Sequence, residues 1–165
     1  MTEPAPIPIA PNPAGVAESI YLAPAAKAPP AAVASVLAVV GRGLEGDRYW
    51  TAAGSFSRWP GEGRAVTLIE AEAVEAVLAE TGIDFTRGQH RRNLVTRGVR
   101  LPALNGRRFR IGTAVFRGTR VCAPCAFLER LTAPGAFAAL KGRGGLRADL
   151  LEGGLLRAGD AIELL

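Results

Sequence analysis

The residues of this chain best suited to chemistry are the two cysteines of Arg120-Val-Cys122-Ala-Pro-Cys125-Ala, which are also its only cysteines. They close a stretch without acidic side chains. Between Asp84 and Glu129 no carboxylate residue occurs, yet Arg87, Arg91, Arg92, Arg97, Arg100, Arg107, Arg108, Arg110, Arg117 and Arg120 all fall there. Thiolate is the reactive form of cysteine, and neighbouring cations favour it. Arginine forks bind phosphate and other oxyanions in bidentate fashion. A soft sulfur ligand beside an anion-binding surface is what an anionic, metal-bearing cofactor requires.

Other chemistries fit this pattern less well. A thioredoxin-type C-x-x-C needs alternating strands and helices around a central sheet, and the segments here do not supply them. A structural zinc site usually takes four Cys or His ligands, whereas Cys122, Cys125 and His90 are the whole supply. Two buried cysteines filling a core remain the bland alternative. His90 is expected to be structural, because the cations at Arg91 and Arg92 discourage its protonation. Gly144-Gly145-Leu-Arg147-Ala lacks the Lys-Ser/Thr ending of a nucleotide loop. Glu45 and Asp47, flanked by Arg42 and Arg48, read equally as an acid pair or a salt-bridged loop. If Arg91, Arg92 and Asn93 enter a strand, alternation puts Arg91 and Asn93 on one face and Arg92 on the other.

Short strands separated by turns must position these groups. Val16–Leu22 and Val33–Val40 read as the first two strands and Ala65–Ile69 as a buried one. Residues 70–81 carry the apolar spacing of a helix, with acids near its start and a glycine stop at Gly82. Asn93–Thr96, Arg107–Ile111, Ala114–Val121, Leu146–Leu151 and Ala161–Leu164 supply further strands, and two short helices follow Cys125. The glycine-rich segment from Gly41 to Gly63 is too long and irregular for one element, and its Gly43–Trp59 part is expected to border or cover an anion pocket. With no βαβ alternation, the pattern predicts a mostly β fold. It is a closed or partly open barrel with one substantial helix and short helices.

Twenty glycines and twelve prolines agree with a turn-rich β body, and 48% hydrophobic residues exclude disorder. Residues 1–14 read as an extended arm before a single domain over 15–165. No apolar run approaches the roughly 18 residues of a membrane span, and the proline-rich start is not a secretory signal. A cytoplasmic location, which keeps thiols reduced, is the expectation. The formal charge of +5 attracts anions. Only Phe109 and Phe116 interleave the arginine run, which argues against a single-stranded nucleic acid partner.

As an ordered set, several motifs resemble the MOSC family, named for the C-terminal domain of molybdenum-cofactor sulfurases. They are Gly43-Leu-Glu-Gly-Asp47-Arg48-Tyr49, Val66-Thr-Leu-Ile-Glu70, Arg91-Arg-Asn93-Leu-Val-Thr-Arg-Gly98 and Gly106-Arg-Arg-Phe109-Arg-Ile-Gly112. Cys122-Ala-Pro-Cys125, Gly142-Arg143-Gly-Gly145-Leu-Arg147-Ala and Gly159-Asp160 complete the set. The resemblance covers roughly Val16 to Leu165 and implies a β-barrel that carries the molybdenum cofactor (molybdopterin) or handles its sulfur. It implies Cys125 as molybdenum ligand and catalytic residue. Arg91 and Asn93, with Asp47 and Arg147, would hold the cofactor. The implied reaction removes oxygen from a small N-hydroxylated substrate, with electrons from a separate donor protein. Its alternative is a sulfur carrier that holds a persulfide on Cys125, loaded by a cysteine desulfurase.

Overall fold

A computed structural model describes residues 13–50 and 63–165. Eleven strands, three α-helices and a 3₁₀ turn make up this part: β1 (Pro13–Leu22), β2 (Ala31–Val33), β3 (Ser35–Val39), β4 (Gly43–Leu44), β5 (Val66–Glu70), α1 (Ala71–Thr81), β6 (Leu94–Arg97), the turn Leu101–Leu104, β7 (Arg108–Ile111), β8 (Ala114–Val121), α2 (Ala126–Leu131), α3 (Ala136–Leu140), β9 (Leu146–Glu152), β10 (Gly154–Arg157) and β11 (Asp160–Leu164).

Alternation builds the barrel wall. In β9, Leu146, Ala148 and Leu150 are buried while Arg147, Asp149 and Leu151 are partly exposed, the period of a sheet with one face on a core. The sheet runs β11-β7-β8-β9-β5-β6-β1, and the pairing of β1 with β11 closes it into a seven-stranded barrel; β2 adds to β1 outside the closure. Closure leaves these seven strands without an open edge. Phe109 and Phe116 face each other across β7 and β8 and stack at 5.6 Å within the core. Around them Ile20, Leu68, Leu94, Ile111, Leu146 and Ile162 are fully buried.

A second apolar cluster lies outside the barrel. Helix α1 buries Val74 and Val77 against Ile69, Phe85 and Val95, and Leu128 and Leu140 from α2 and α3 join them. The helix ends where Gly82, left-handed at φ 76°, donates its N–H to the Leu78 carbonyl. The expected helix is therefore present within one residue of its reading. Among the described residues no helix is long and apolar enough to cross a membrane.

Three details differ from expectation. The strand read over Val33–Val40 splits at Ala34: β2 joins the barrel sheet, while β3 pairs with β10 and β4 in a separate three-stranded sheet. Strands β4 and β10 are too short, and too glycine-rich at their starts, to show a period. One βαβ unit also exists, because β5 and β6 pair in parallel across α1. Parallel neighbours need a crossover of roughly a dozen residues or more, and the chain between them supplies it. Finally, β1 begins at Pro13, so the last two residues assigned to the arm are strand; the rest of the arm lies outside the described residues.

Candidate functional site

The bend before β6 organises the site. Arg91 has φ 61° and is the only non-glycine residue with positive φ among those described. Such a conformation costs of order 1 kcal/mol or more and persists where surrounding structure enforces it. Here its N–H bonds the Gly88 carbonyl at 2.9 Å, and its guanidinium donates to the carbonyls of Ala26 (2.7 Å) and Ala28 (2.8 Å). One residue later, the Arg92 N–H donates to His90 Nδ1 at 2.9 Å.

Arg92 is buried and ties three segments together. Its Nε donates to the Gly144 carbonyl (2.9 Å), one terminal nitrogen to that of His90 (3.1 Å) and the other to that of Cys122 (3.3 Å). Burial, the largest influence, pulls its pKa below the ordinary arginine value. Burial also lowers that of Arg91, with the neighbouring Arg48 charge adding to the effect.

The cysteine segment leaves the end of β8 and packs on the glycine pair before β9. The Cys122 N–H donates to the Gly145 carbonyl at 2.8 Å. Gly145 has φ 106°, and a Cβ there would run into the Leu68 backbone; one at Gly144 would strike the Cys122 carbonyl. The Gly144-Gly145 pair is thus a place of close backbone approach rather than a phosphate loop. Cys122 is buried and Cys125 half-buried, both as free thiols. Cys125 is extended (φ −137°, ψ 164°) and immediately precedes α2.

These segments surround one cleft of about 520 Å³ counted to its mouth. Arg48, Arg91, Arg92 and Arg147 line it together with Cys122 and Cys125, and among the described residues no carboxylate does. Phe127 and Leu128 of α2 form an apolar wall, and Tyr49 stands on the side of the expected covering loop. Trp50 packs under the Arg42 guanidinium at 4.0 Å and is not part of the lining. Residues 51–59 of that loop lie outside the described residues. The Arg147 guanidinium makes no hydrogen bond or ion pair with any described residue.

The candidates named from the sequence divide accordingly. Cys125, Arg91 and Arg147 meet in the cleft, whereas Asn93 and Asp47 do not line it. Asn93 is buried, its Oδ1 accepting from Thr67 N–H (3.1 Å) and the Thr67 hydroxyl (3.2 Å), its Nδ2 donating to the Tyr21 carbonyl (3.2 Å). It fastens β5 and β6 to β1. Asp47 is also buried, accepting from the Ala23 N–H (3.0 Å) and pairing with Arg48 (3.3 Å). The expected shared face of Arg91 and Asn93 is therefore corrected: the left-handed bend at Arg91 breaks the alternation, and β6 begins only at Leu94. Arg92, which alternation turned away, reaches the cleft instead. Of the ten-arginine run, Arg91 and Arg92 line the cleft and the other eight do not. Arg48 and Arg147 come from outside the run and were legible only as parts of motifs.

Among the described residues no three His, Cys, Asp or Glu side chains gather to hold a metal; what the cleft presents to a soft metal is thiol sulfur. The family model of the MOSC domain matches residues 56–163. The chain belongs to the MOSC domain family. No curated protein matches its sequence. Among solved structures, the fold of this family member is similar to that of the YuaD protein from Bacillus subtilis, at 18% identity and a TM-score of 0.74 over 91% of this chain and 94% of that one. It is also similar to YiiM from Geobacillus stearothermophilus (20% identity, TM-score 0.68, 92% of this chain and 75% of that one). For YiiM from Escherichia coli the values are 20%, 0.69, 93% and 70%.

Proposed function

We propose that the arginine-lined cleft binds the molybdenum cofactor, with Cys125 as the protein ligand to the metal, and that the chain reduces small N-hydroxylated compounds. The observation that carries this reading is the convergence of four arginines and two free thiols on one cleft, with no carboxylate among the described residues of its lining. Those residues fit the group: a phosphate-bearing pterin needs guanidinium donors, and molybdenum accepts a soft thiolate. When bound, the cofactor supplies two-electron redox chemistry, by which an N–OH group, two electrons and two protons yield N–H and water.

The chain's own residues do the rest. Arg147, whose guanidinium has no partner among the described residues, is the donor available to an anionic group. Arg91 and Arg92 hold the cleft's outline through backbone carbonyls and add positive potential. Phe127 and Leu128 add apolar surface to the cleft and Tyr49 an aromatic ring, which helps to exclude water from it. A separate electron-donor protein would supply the electrons, in a cytoplasm that keeps both thiols reduced.

The second reading is a sulfur carrier, with a persulfide on Cys125 loaded by a cysteine desulfurase. The presence of Cys122 in the same lining favours it, since a second thiol can release sulfur by exchange. One comparison separates the two: molybdenum and sulfane sulfur in wild type, Cys125→Ser and Cys122→Ser, made in a host that builds the cofactor. The reductase reading expects molybdenum near one per chain in wild type and Cys122→Ser and none in Cys125→Ser. Sulfane sulfur without metal supports the carrier. A Cys125→Ser protein that retains wild-type metal and sulfur would show that this thiol is packing.

A further inference from the structure

A second cleft opens on the outer wall of the barrel, between β1, β6, α1 and the segment 85–90, and holds about 420 Å³ counted to its mouth. Its floor is apolar, formed by the buried side chains of Ala71, Val74, Phe85 and Val95, while Tyr21, Ser19 and Thr86 supply polar groups to the sides. His90 contributes to its lining and not to that of the arginine cleft.

The polarity of His90 is fixed by its neighbours. Nδ1 accepts the Arg92 backbone N–H at 2.9 Å, so the neutral ring carries its proton on Nε2. The residue is 1% exposed, and Nε2, which has no hydrogen-bond partner among the described residues, keeps a trace of accessible surface. The second cleft, which His90 lines, is the side from which an acceptor can reach that proton. Burial, helped by the Arg92 charge, holds its pKa at about 3, so near neutrality the ring offers an N–H and not a cation. A donor with only this narrow access to water gains a well-formed hydrogen bond when an acceptor enters the cleft.

The rim has the opposite character. Arg97 is clamped between Glu18 and Glu75, leaving two carboxylates against one guanidinium. That balance welcomes N–H donors and repels phosphate or carboxylate groups. We propose that this cleft binds a neutral, amino-substituted heteroaromatic base, whose ring acceptor takes the His90 Nε2–H while its amino group meets the Glu18 and Glu75 carboxylates. The apolar floor would take one ring face. The inference is independent of the molybdenum reading, since no residue lines both clefts.

The chain has a single histidine, so a ¹⁵N–¹H spectrum tuned to imidazole reports this site alone. Adenine is the probe. Titration is expected to move the Nε2 proton downfield and to saturate. His90→Asn keeps an acceptor for the Arg92 N–H, but its shorter side chain cannot place an N–H where Nε2 stood, and it should weaken adenine binding in calorimetry about ten-fold. Adenosine monophosphate, whose phosphate meets the acidic rim, should bind more weakly than adenine, and benzoate should leave the resonance in place. Ser19→Phe, which fills the cleft from β1, keeps the test decisive if His90→Asn does not fold: adenine should then no longer move the resonance. A resonance unmoved up to the solubility limit of adenine would overturn the proposal. So would equal binding by either variant, or tighter binding of the monophosphate, which would place the base in the arginine cleft instead.

Discussion

The outer wall and the main cleft are both rich in arginine, and they treat it in opposite ways. On the wall, guanidiniums meet carboxylates: Arg97 with Glu18 and Glu75, Arg100 with Glu70, Arg110 with Glu163, Arg143 with Glu80. In the cleft, Arg91 and Arg92 meet backbone carbonyls, which orient them without cancelling their charge. Asp47 pairs with Arg48, and the Arg147 guanidinium makes no ion pair with any described residue. The same side chain is thus a solvated surface ion in one place and a framework strut with uncancelled charge in the other. The charge that defines the site is the part of the +5 total left without local counterions.

Removing a strut should hurt most. Arg92→Ala leaves three buried carbonyls without their donor and is expected to cost about 3 kcal/mol or more, each unsatisfied group costing on the order of 1–3 kcal/mol. Denaturant unfolding would read it, and Arg92→Lys should recover only part of the loss, because one ammonium cannot reproduce the fork. A loss below about 1 kcal/mol, the usual scale of a surface ion pair, would erase the distinction between strut and wall.

The cleft's open charge comes next. Arg147→Ala and Arg91→Ala should lower cofactor content about ten-fold, as expected for loss of a charge-assisted contact, while Arg108→Ala, exposed on β7, should leave it unchanged. Equal content in all three variants would mean that long-range charge, and not a defined site, attracts the anion.

Acid should weaken the strut through His90, which faces Arg92 on one side and the Glu18, Glu75 and Arg97 rim on the other. Its pKa falls from 6.5 in the unfolded chain to about 3 in the fold. The stability this represents is fully present above pH 6.5 and is lost as pH falls toward 3, at up to about 1.4 kcal/mol per pH unit. Between pH 6.5 and 4.5 this loss should dominate, because the shifted carboxylates Glu75, Glu80 and Asp84 titrate lower, with pKa values held down by their hydrogen-bond partners. His90→Asn should flatten the slope in that window; an unchanged slope would mean that other groups carry it. The smallest effect is expected on the wall, where Arg97→Ala should leave both midpoint temperature and cofactor content at wild-type values.

Much of the barrel was legible because its long strands alternate and its helix repeats at the proper interval. Strands β8, β9 and α1 needed nothing beyond residue spacing and a glycine stop. Strands β4 and β10 exist because β3 offers them an edge, a tertiary cause that leaves no local period. The site was half legible. Cys125 and Arg147 stood in motifs that a resemblance could find, whereas Arg92 was turned the wrong way by a strand rule applied one turn too early. Only the positive φ at Arg91 redirects it, and an arginine in that conformation announces nothing in the sequence.

The seam of the barrel joins β1 to β11, with Val16 opposite Ala161 and Ala17 opposite Asp160. During synthesis the first of these strands leaves the ribosome long before the last, so β1 must wait with one edge bare while the intervening wall is made. β1 can already hold β6 on its other side, through Val16 opposite Arg97 and Ile20 opposite Leu94, which makes the arc from β1 through β6 to β5 an early unit and seam closure a late one. Such a long wait carries a high closure entropy and a slow final step. Until that step, the apolar interior behind β1 is open to any passing strand, and the newborn chain is the form of this protein most in need of a chaperone.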